Sequence, residues 1–290
     1  MQICAFAQEP IFSSPSARSN FDIWMTAVKT PQVDVVGSTP YVEDSDMSIT
    51  ANFEAAMDLA IELGIDLDLH LDYNLDSSKR VIAKDVVEHI NDLKLRQRLT
   101  DETFSLGHCT RLTLISKKGW LNLASTISSN ALPIHFVGLP TSDLFIQGKP
   151  SQDDGGGERP RGTLQIPQMI QSYGLNCAIA INNVGNAFTP HGSCDPLALA
   201  SWCVGVYQAG TEADTQCLFE CVSSRAKEAI GYKEQGGIRV GAWADLVIYG
   251  NVPDSHKKAS QQRPRLKLQD LVYDPPRARQ TLFRGFLIDV

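Results

Sequence analysis

In DLDLHLDYNLD (66–76), Leu67, Leu69 and Leu71 alternate with Asp66, Asp68, His70 and Asp72. Alternation with period two is the mark of a β-strand with one apolar and one polar face. Continued to residue 74, it predicts that His70, Asp72 and Asn74 share the polar face. Apolar runs of similar length occur at 2–7, 33–38, 103–109, 134–139 and 175–182. Between them the period lengthens to that of a helix. In 49–64 the residues Phe53, Met57, Ala60 and Ile61 form a stripe, and Gly64 supplies a left-handed stop. Helices are also expected around 21–29, 81–95, 112–130, 167–173, 196–210 and 212–230.

Strands that alternate with helices imply parallel pairing, and repeated units of this kind build a (β/α) barrel. The expected fold class is therefore α/β, a (β/α)8-type TIM barrel, here incomplete with about six strands. The missing strands are expected at the front, because residue 1 opens directly onto a strand. From residue 236 the rhythm changes. GGIRVGAWADLVIYGN and QTLFRGFLIDV are β-rich and are separated by a polar, basic loop at 254–267. The expected division is 1–235 for the partial barrel and 236–290 for the remnant of a small β-sandwich. SQDDGGGERPRG (151–162) reads as a surface loop, since no Lys-Ser/Thr follows its glycines as a phosphate cradle requires.

Composition narrows the class. Hydrophobic residues make up 43% of the 290 positions and charged residues 20%, ordinary values for a chain able to bury a core. A net charge of −7 argues against a nucleic-acid partner or an anionic membrane surface. No apolar run is long enough to span a bilayer, and the N-terminus lacks the basic start of a signal peptide. The seven cysteines have no CxxC spacing, as expected of free thiols in a reducing, cytoplasmic setting.

Several motifs then line up in order: AFAQE (5–9), DVVGSTP (34–40), LHLD (69–72), LGHCTRL (106–112), LP…IQGK (139–149), INNVGNAFTPHGSCDP (181–196) and the closing 236–288. Together they resemble the amidohydrolase superfamily, the metal-dependent hydrolases, and within it the cytosine deaminase-like branch. The resemblance implies a TIM barrel with a composite β-sandwich, a divalent metal (zinc or iron) and a small-molecule substrate. The reaction it implies is hydrolysis of a non-peptide C–N bond in a cyclic amide or amidine.

That family holds its metal with His-x-His on the first strand, single histidines on the fifth and sixth, and an Asp after the eighth. If the six strands here are the third to eighth, His70 and His108 take the fifth- and sixth-strand places. The plainer reading is that each is a hydrogen-bonded polar residue at a strand end. No His-x-His occurs in the chain. The metal Asp falls on Asn182, whose neutral amide is a poor ligand for zinc or iron. The acid–base Glu falls on Tyr73, a weak general base at neutral pH. Asp72 is the local candidate for the lost carboxylate, as ligand or base, against the plainer reading of a solvated strand-end residue.

Further positions are read as pocket residues. Gln8 stands where the family contacts the substrate amide, Asn183 at a second substrate-contacting position and Phe188 near an aromatic cover. Asp143 and Gln147 lie past the next strand and are expected at the same mouth. His191 and Cys194 are close in sequence, yet Ser193 or Asp195 reads better as the cap of a helix beginning at Pro196. Three functional readings follow. The chain is a C–N hydrolase, or a metal-free descendant that uses the pocket for binding or isomerisation, or a fragment whose open sheet edges invite self-association into a homo-oligomer.

Overall fold

Six short strands form one parallel sheet in a computed structural model of the chain, which describes residues 2–149, 160–232, 238–249 and 265–288. The strands are β1 (Cys4–Ala7), β2 (Val35–Ser38), β3 (Asp66–Leu71), β4 (Phe104–His108), β5 (Ile134–Gly138) and β6 (Cys177–Ile179), paired in sequence order. All six fall within the runs expected from the sequence. Among the described residues the sheet is open, with β1 and β6 at its edges.

The crossovers are helical. α1 (Ala17–Val28), α2 (Asp46–Leu63), α3 (Ile82–Leu95) and α4 (Lys117–Ser129) follow the first four strands. α2 packs Phe53, Met57 and Ala60 against the sheet and ends at Gly64, whose φ of 65° is left-handed as expected. α5 (Pro140–Ile146) and α6 (Ile166–Tyr173) follow β5, and α7 (Pro196–Tyr207) follows β6. Asp195 caps α7 by accepting from Leu197 N, with Pro196 in its first turn. The core between helices and sheet is aliphatic and aromatic, with Leu67, Leu69, Leu71, Phe104, Leu106 and Phe136 fully buried.

Three local expectations differ from the structure. α4 starts at Lys117, because a 3₁₀ turn (Thr110–Leu114) precedes it and Ser116 caps it by accepting from Gly119 N. The helix expected over 212–230 is two, α8 (Glu212–Cys221) and α9 (Ser224–Ala229). They break at Ser223, whose hydroxyl donates to Phe219 O at 2.6 Å and competes with the helical bond to that carbonyl. The sequence pattern does not predict α5, because seven residues are too few to show a period.

The tail contains α10 (Leu268–Tyr273) and the antiparallel strands β7 (Leu246–Tyr249), β8 (Arg279–Phe283) and β9 (Phe286–Ile288), in the order β7-β8-β9. α10 buries Val272 and rests on α7 and α8. Arg279 grips Asp195 with both guanidinium ends, the Nη2–Oδ2 contact being 2.6 Å. The expected loop at 151–162 lies almost wholly outside the described residues, as do His256 and most of the basic loop at 254–267.

Candidate functional site

The pairing register of β3 with β4 sets His70 beside Gly107 and Leu71 beside His108. A Cβ at position 107 would stand 3.1 Å from His70 Cδ2, so the glycine leaves room for the imidazole. The His70 and His108 rings meet edge to face at 5.0 Å between centroids, and Phe6 of β1 closes on His70 at 4.8 Å. Asp68, two residues earlier on the same polar face, places Oδ1 at 3.9 Å from His70 Nε2. Burial, with His108 adding to it, pushes His70 down to about 3, so its imidazole is neutral at pH 7. Burial also raises the Asp68 carboxyl to about 6, with His108 opposing.

His108 is oriented from α5. Its Nδ1 donates to Asp143 Oδ1 at 2.6 Å, and Thr163 Oγ1 donates to the other carboxylate oxygen at 2.6 Å. Both members of the pair are buried, His108 at 3% exposure and Asp143 at 1%. With Nδ1 committed, Nε2 is the nitrogen left for chemistry. β4 leaves the sheet through two consecutive left-handed residues, His108 (φ 61°) and Cys109 (φ 48°), an uncommon geometry for residues with side chains.

Asp72 departs from its expected place. Alternation requires extended backbone, but β3 ends at Leu71 and Asp72 is left-handed with φ of 50°. Its carboxylate turns to the start of α3, accepting from Ile82 N at 3.1 Å and Ala83 N at 2.9 Å, and pairs with Arg111 at 3.2 Å. It is fully buried, so it is neither the solvated residue nor the ligand or base expected beside His70. Asn74 likewise leaves the face and accepts from Asp76 N at 3.1 Å in a turn.

Tyr73 is half-buried with its ring on that of Tyr41, 4.7 Å between centroids. Burial, then Tyr73 and Asp143, push the Tyr41 phenol up to about 12, which keeps it a neutral donor. Asp143, expected at the mouth as a substrate contact, is instead spent on His108 and Thr163. Gln147 is a latch: Nε2 donates to Tyr73 O, and Oε1 accepts from Gly162 N at 3.0 Å. Gln8 is exposed just beyond β1. Phe188 is 59% exposed, neither covering a site nor packed in the core. Asn182 and Asn183 are half-buried after β6, and Asn183 Oδ1 accepts from Asn186 at 3.0 Å.

The residues of the expected metal site do not fit a divalent catalytic ion. Such ions take three protein ligands, usually with charge or several imidazoles. Among the described residues no three His, Cys, Asp or Glu side chains come together as a metal-holding group. His108 spends one nitrogen on Asp143, and Asn182 brings only a neutral amide two strands away from β4. The site the structure assembles is a row of Asp68, His70, His108 and Asp143 with Phe6 and Tyr41 near it. Asp68 shares the alternating face with His70, a signal that Asp66 carries equally. Tyr41, in a 3₁₀ turn, left no periodic signal.

All seven cysteines are free. Among the described residues no helix is long and apolar enough to cross a membrane. No protein-family model matches the chain, and no curated protein matches its sequence. Solved structures do match. The 5-methylcytosine deaminase of Klebsiella pneumoniae, liganded with phosphonocytosine, is 20% identical with a TM-score of 0.78, and with 5-fluorocytosine the score is 0.77. The N-isopropylammelide isopropylaminohydrolase of Burkholderia multivorans ATCC 17616 is 18% identical with a TM-score of 0.71. Each match covers 99% of this chain and 62% of the other, so the chain spans less than two thirds of the proteins it resembles. At these identities the likeness establishes the fold: an α/β chain built on a parallel six-stranded sheet, shared with enzymes of deaminase and aminohydrolase type.

Proposed function

We propose that the chain is an amidohydrolase-like protein of the cytosine deaminase-like branch, related to hydrolases of non-peptide C–N bonds in cyclic amides or amidines. The observation that carries this reading is the placement of His70 and His108 side by side at the carboxyl ends of adjacent parallel strands. Barrel active sites lie at that edge. The six strands are then the third to eighth of a (β/α)8-type barrel within 1–235, and 236–290 is the remnant of a composite β-sandwich. The ligand is a small cyclic molecule, and the setting is cytoplasmic, with no nucleic-acid or membrane partner. Exposed Phe283, Phe286 and Leu287 on the tail sheet support a homo-oligomer.

A second reading, a metal-free descendant that binds or isomerises such a molecule, is favoured by the donor set. Asn182 and Tyr73 stand where a carboxylate ligand and an acid–base Glu are needed, and Asp72 is committed to capping α3. The deciding experiment is elemental mass spectrometry of the chain purified without chelator, with turnover assays on cyclic amides and amidines. Near-stoichiometric metal, lost in His70→Ala or His108→Ala, with turnover, supports the hydrolase. Saturable binding of such a compound without metal or turnover supports the second reading.

A further inference from the structure

α8 carries two thiols one turn apart, Cys217 and Cys221, so both sulfurs leave the same face of the helix. That face packs inward. Cys221 is fully buried, with Sγ 3.9 Å from the carbonyl oxygen of Cys177 on β6, while Cys217 keeps 8% of its surface open. Cys221 donates its S–H to the Cys217 sulfur. This bond, opposed by burial and helped by the Arg225 guanidinium, holds the Cys217 thiol below its ordinary range. The pair is badly placed to close on itself. Neighbouring Cβ atoms four residues apart on a helix are about 5–6 Å from each other, whereas a disulfide needs about 3.5–4.5 Å. A disulfide here would have to unwind the last turn of α8. A shared ion removes the conflict, since two bonds of about 2.3 Å, the length from thiolate to zinc, hold sulfurs up to about 4.6 Å apart.

We propose that Cys217 and Cys221 form a binding site for one soft closed-shell ion, copper(I), held between two thiolates. Sulfur selects copper(I) over the hard ions that prefer carboxylate, carbonyl and water. The number of donors selects it over zinc, which takes four ligands in a structural site. Among the described residues no three His, Cys, Asp or Glu side chains gather as a metal-holding group, and copper(I) is satisfied by two thiolates in line. Binding displaces one proton from each thiol. One Cu⁺ and two S–H groups thus give an S–Cu–S unit of charge −1 and two released protons. The Arg225 guanidinium, which favours the ionised form of both thiols, offsets that charge. Cys217 is the more open of the two and receives the ion first, by exchange from a chelator. The bound ion then staples the last turn of α8, just ahead of the break at Ser223. The proposal uses none of the side chains gathered around His70 and His108.

The test uses the full chain, reduced and free of oxygen, titrated into the coloured Cu(I)–bicinchoninate complex. Uptake of one Cu(I) per chain, seen as loss of colour, is expected for the parent. It is expected equally for Cys4→Ser/Cys194→Ser, which removes the two exposed thiols. Cys217→Ser and Cys221→Ser should each weaken uptake at least tenfold, with near-ultraviolet circular dichroism establishing that they are folded. X-ray absorption at the copper edge should find two sulfur neighbours in the parent and in Cys4→Ser/Cys194→Ser, a reading that stands even where a helix variant fails to fold. The proposal is overturned if the parent takes no Cu(I) from the chelator, or if Cys4→Ser/Cys194→Ser loses the uptake. It is also overturned if either folded helix variant binds like the parent, or if the copper has neighbours other than two sulfurs.

Discussion

His108 Nδ1 donates to Asp143 Oδ1 across 2.6 Å, joining the last residue of a central strand to the first turn of a helix thirty-five positions later. Both groups are buried. Removing the carboxylate leaves two buried donors, His108 Nδ1 and Thr163 Oγ1, without their acceptor. Asp143→Ala should therefore cost about 3 kcal/mol of unfolding free energy. Urea denaturation at pH 7 checks this, and a midpoint shift worth under about 1 kcal/mol contradicts the buried pairing.

Asp72 serves three partners, two helix amides and Arg111. Asp72→Ala leaves all three short, for an expected loss of about 3 kcal/mol. Asp72→Asn keeps one acceptor for α3 and should cost roughly half as much. If the capping role is wrong, the two variants will unfold at the same urea concentration as the parent.

Asp195 makes stability depend on pH. Burial works against its charge, but the Arg279 guanidinium and the first amides of α7 outweigh it and hold the carboxyl below the ordinary range. A depressed carboxyl pKa contributes stability above the unfolded value, about 3.9, that is lost as pH falls through the folded value. The parent should therefore lose more stability between pH 5 and pH 2 than Asp195→Asn does. Unfolding curves for both proteins at each pH provide the comparison, and equal losses would rule out the contribution.

Gly37 of β2 gives Phe6 its place. A Cβ there would sit 2.2 Å from the Phe6 ring, which is the ring that closes on His70. Gly37→Val should destabilise by about 1–3 kcal/mol through overpacking. Adding Phe6→Leu should recover part of it. Thermal unfolding reads both steps, and no loss in the single variant would refute the crowding.

The sheet was legible because its strands are buried runs with a clear period, and those signals survive in one sequence. The parts that were missed are those in which period carries no information. Asp72 looked like a member of the polar face because the left-handed turn at that residue leaves no mark in DLDLHLD. α5 is hidden by its length, so the sequence presents Asp143 as a pocket residue rather than as the partner of His108. Asp68 was in plain view on the correct face, yet nothing in the sequence separates it from Asp66. Phe188 shows the reverse error, since an aromatic residue in a loop carries no sign of whether it will be covered.

The double grip of Arg279 on Asp195 also bears on the order in which the molecule assembles. The two residues are 84 positions apart, whereas Asp72 meets its amide partners within about a dozen positions. Near contacts close at smaller entropic cost and form earlier. The strand–helix units should therefore collect first, with Asp72 clamping β3 to α3, and the tail should settle on α7 last. Run backwards, the same sequence makes β8 and α10 the first elements to come away under mild denaturant, with amide hydrogens that exchange before those of β3 and β4.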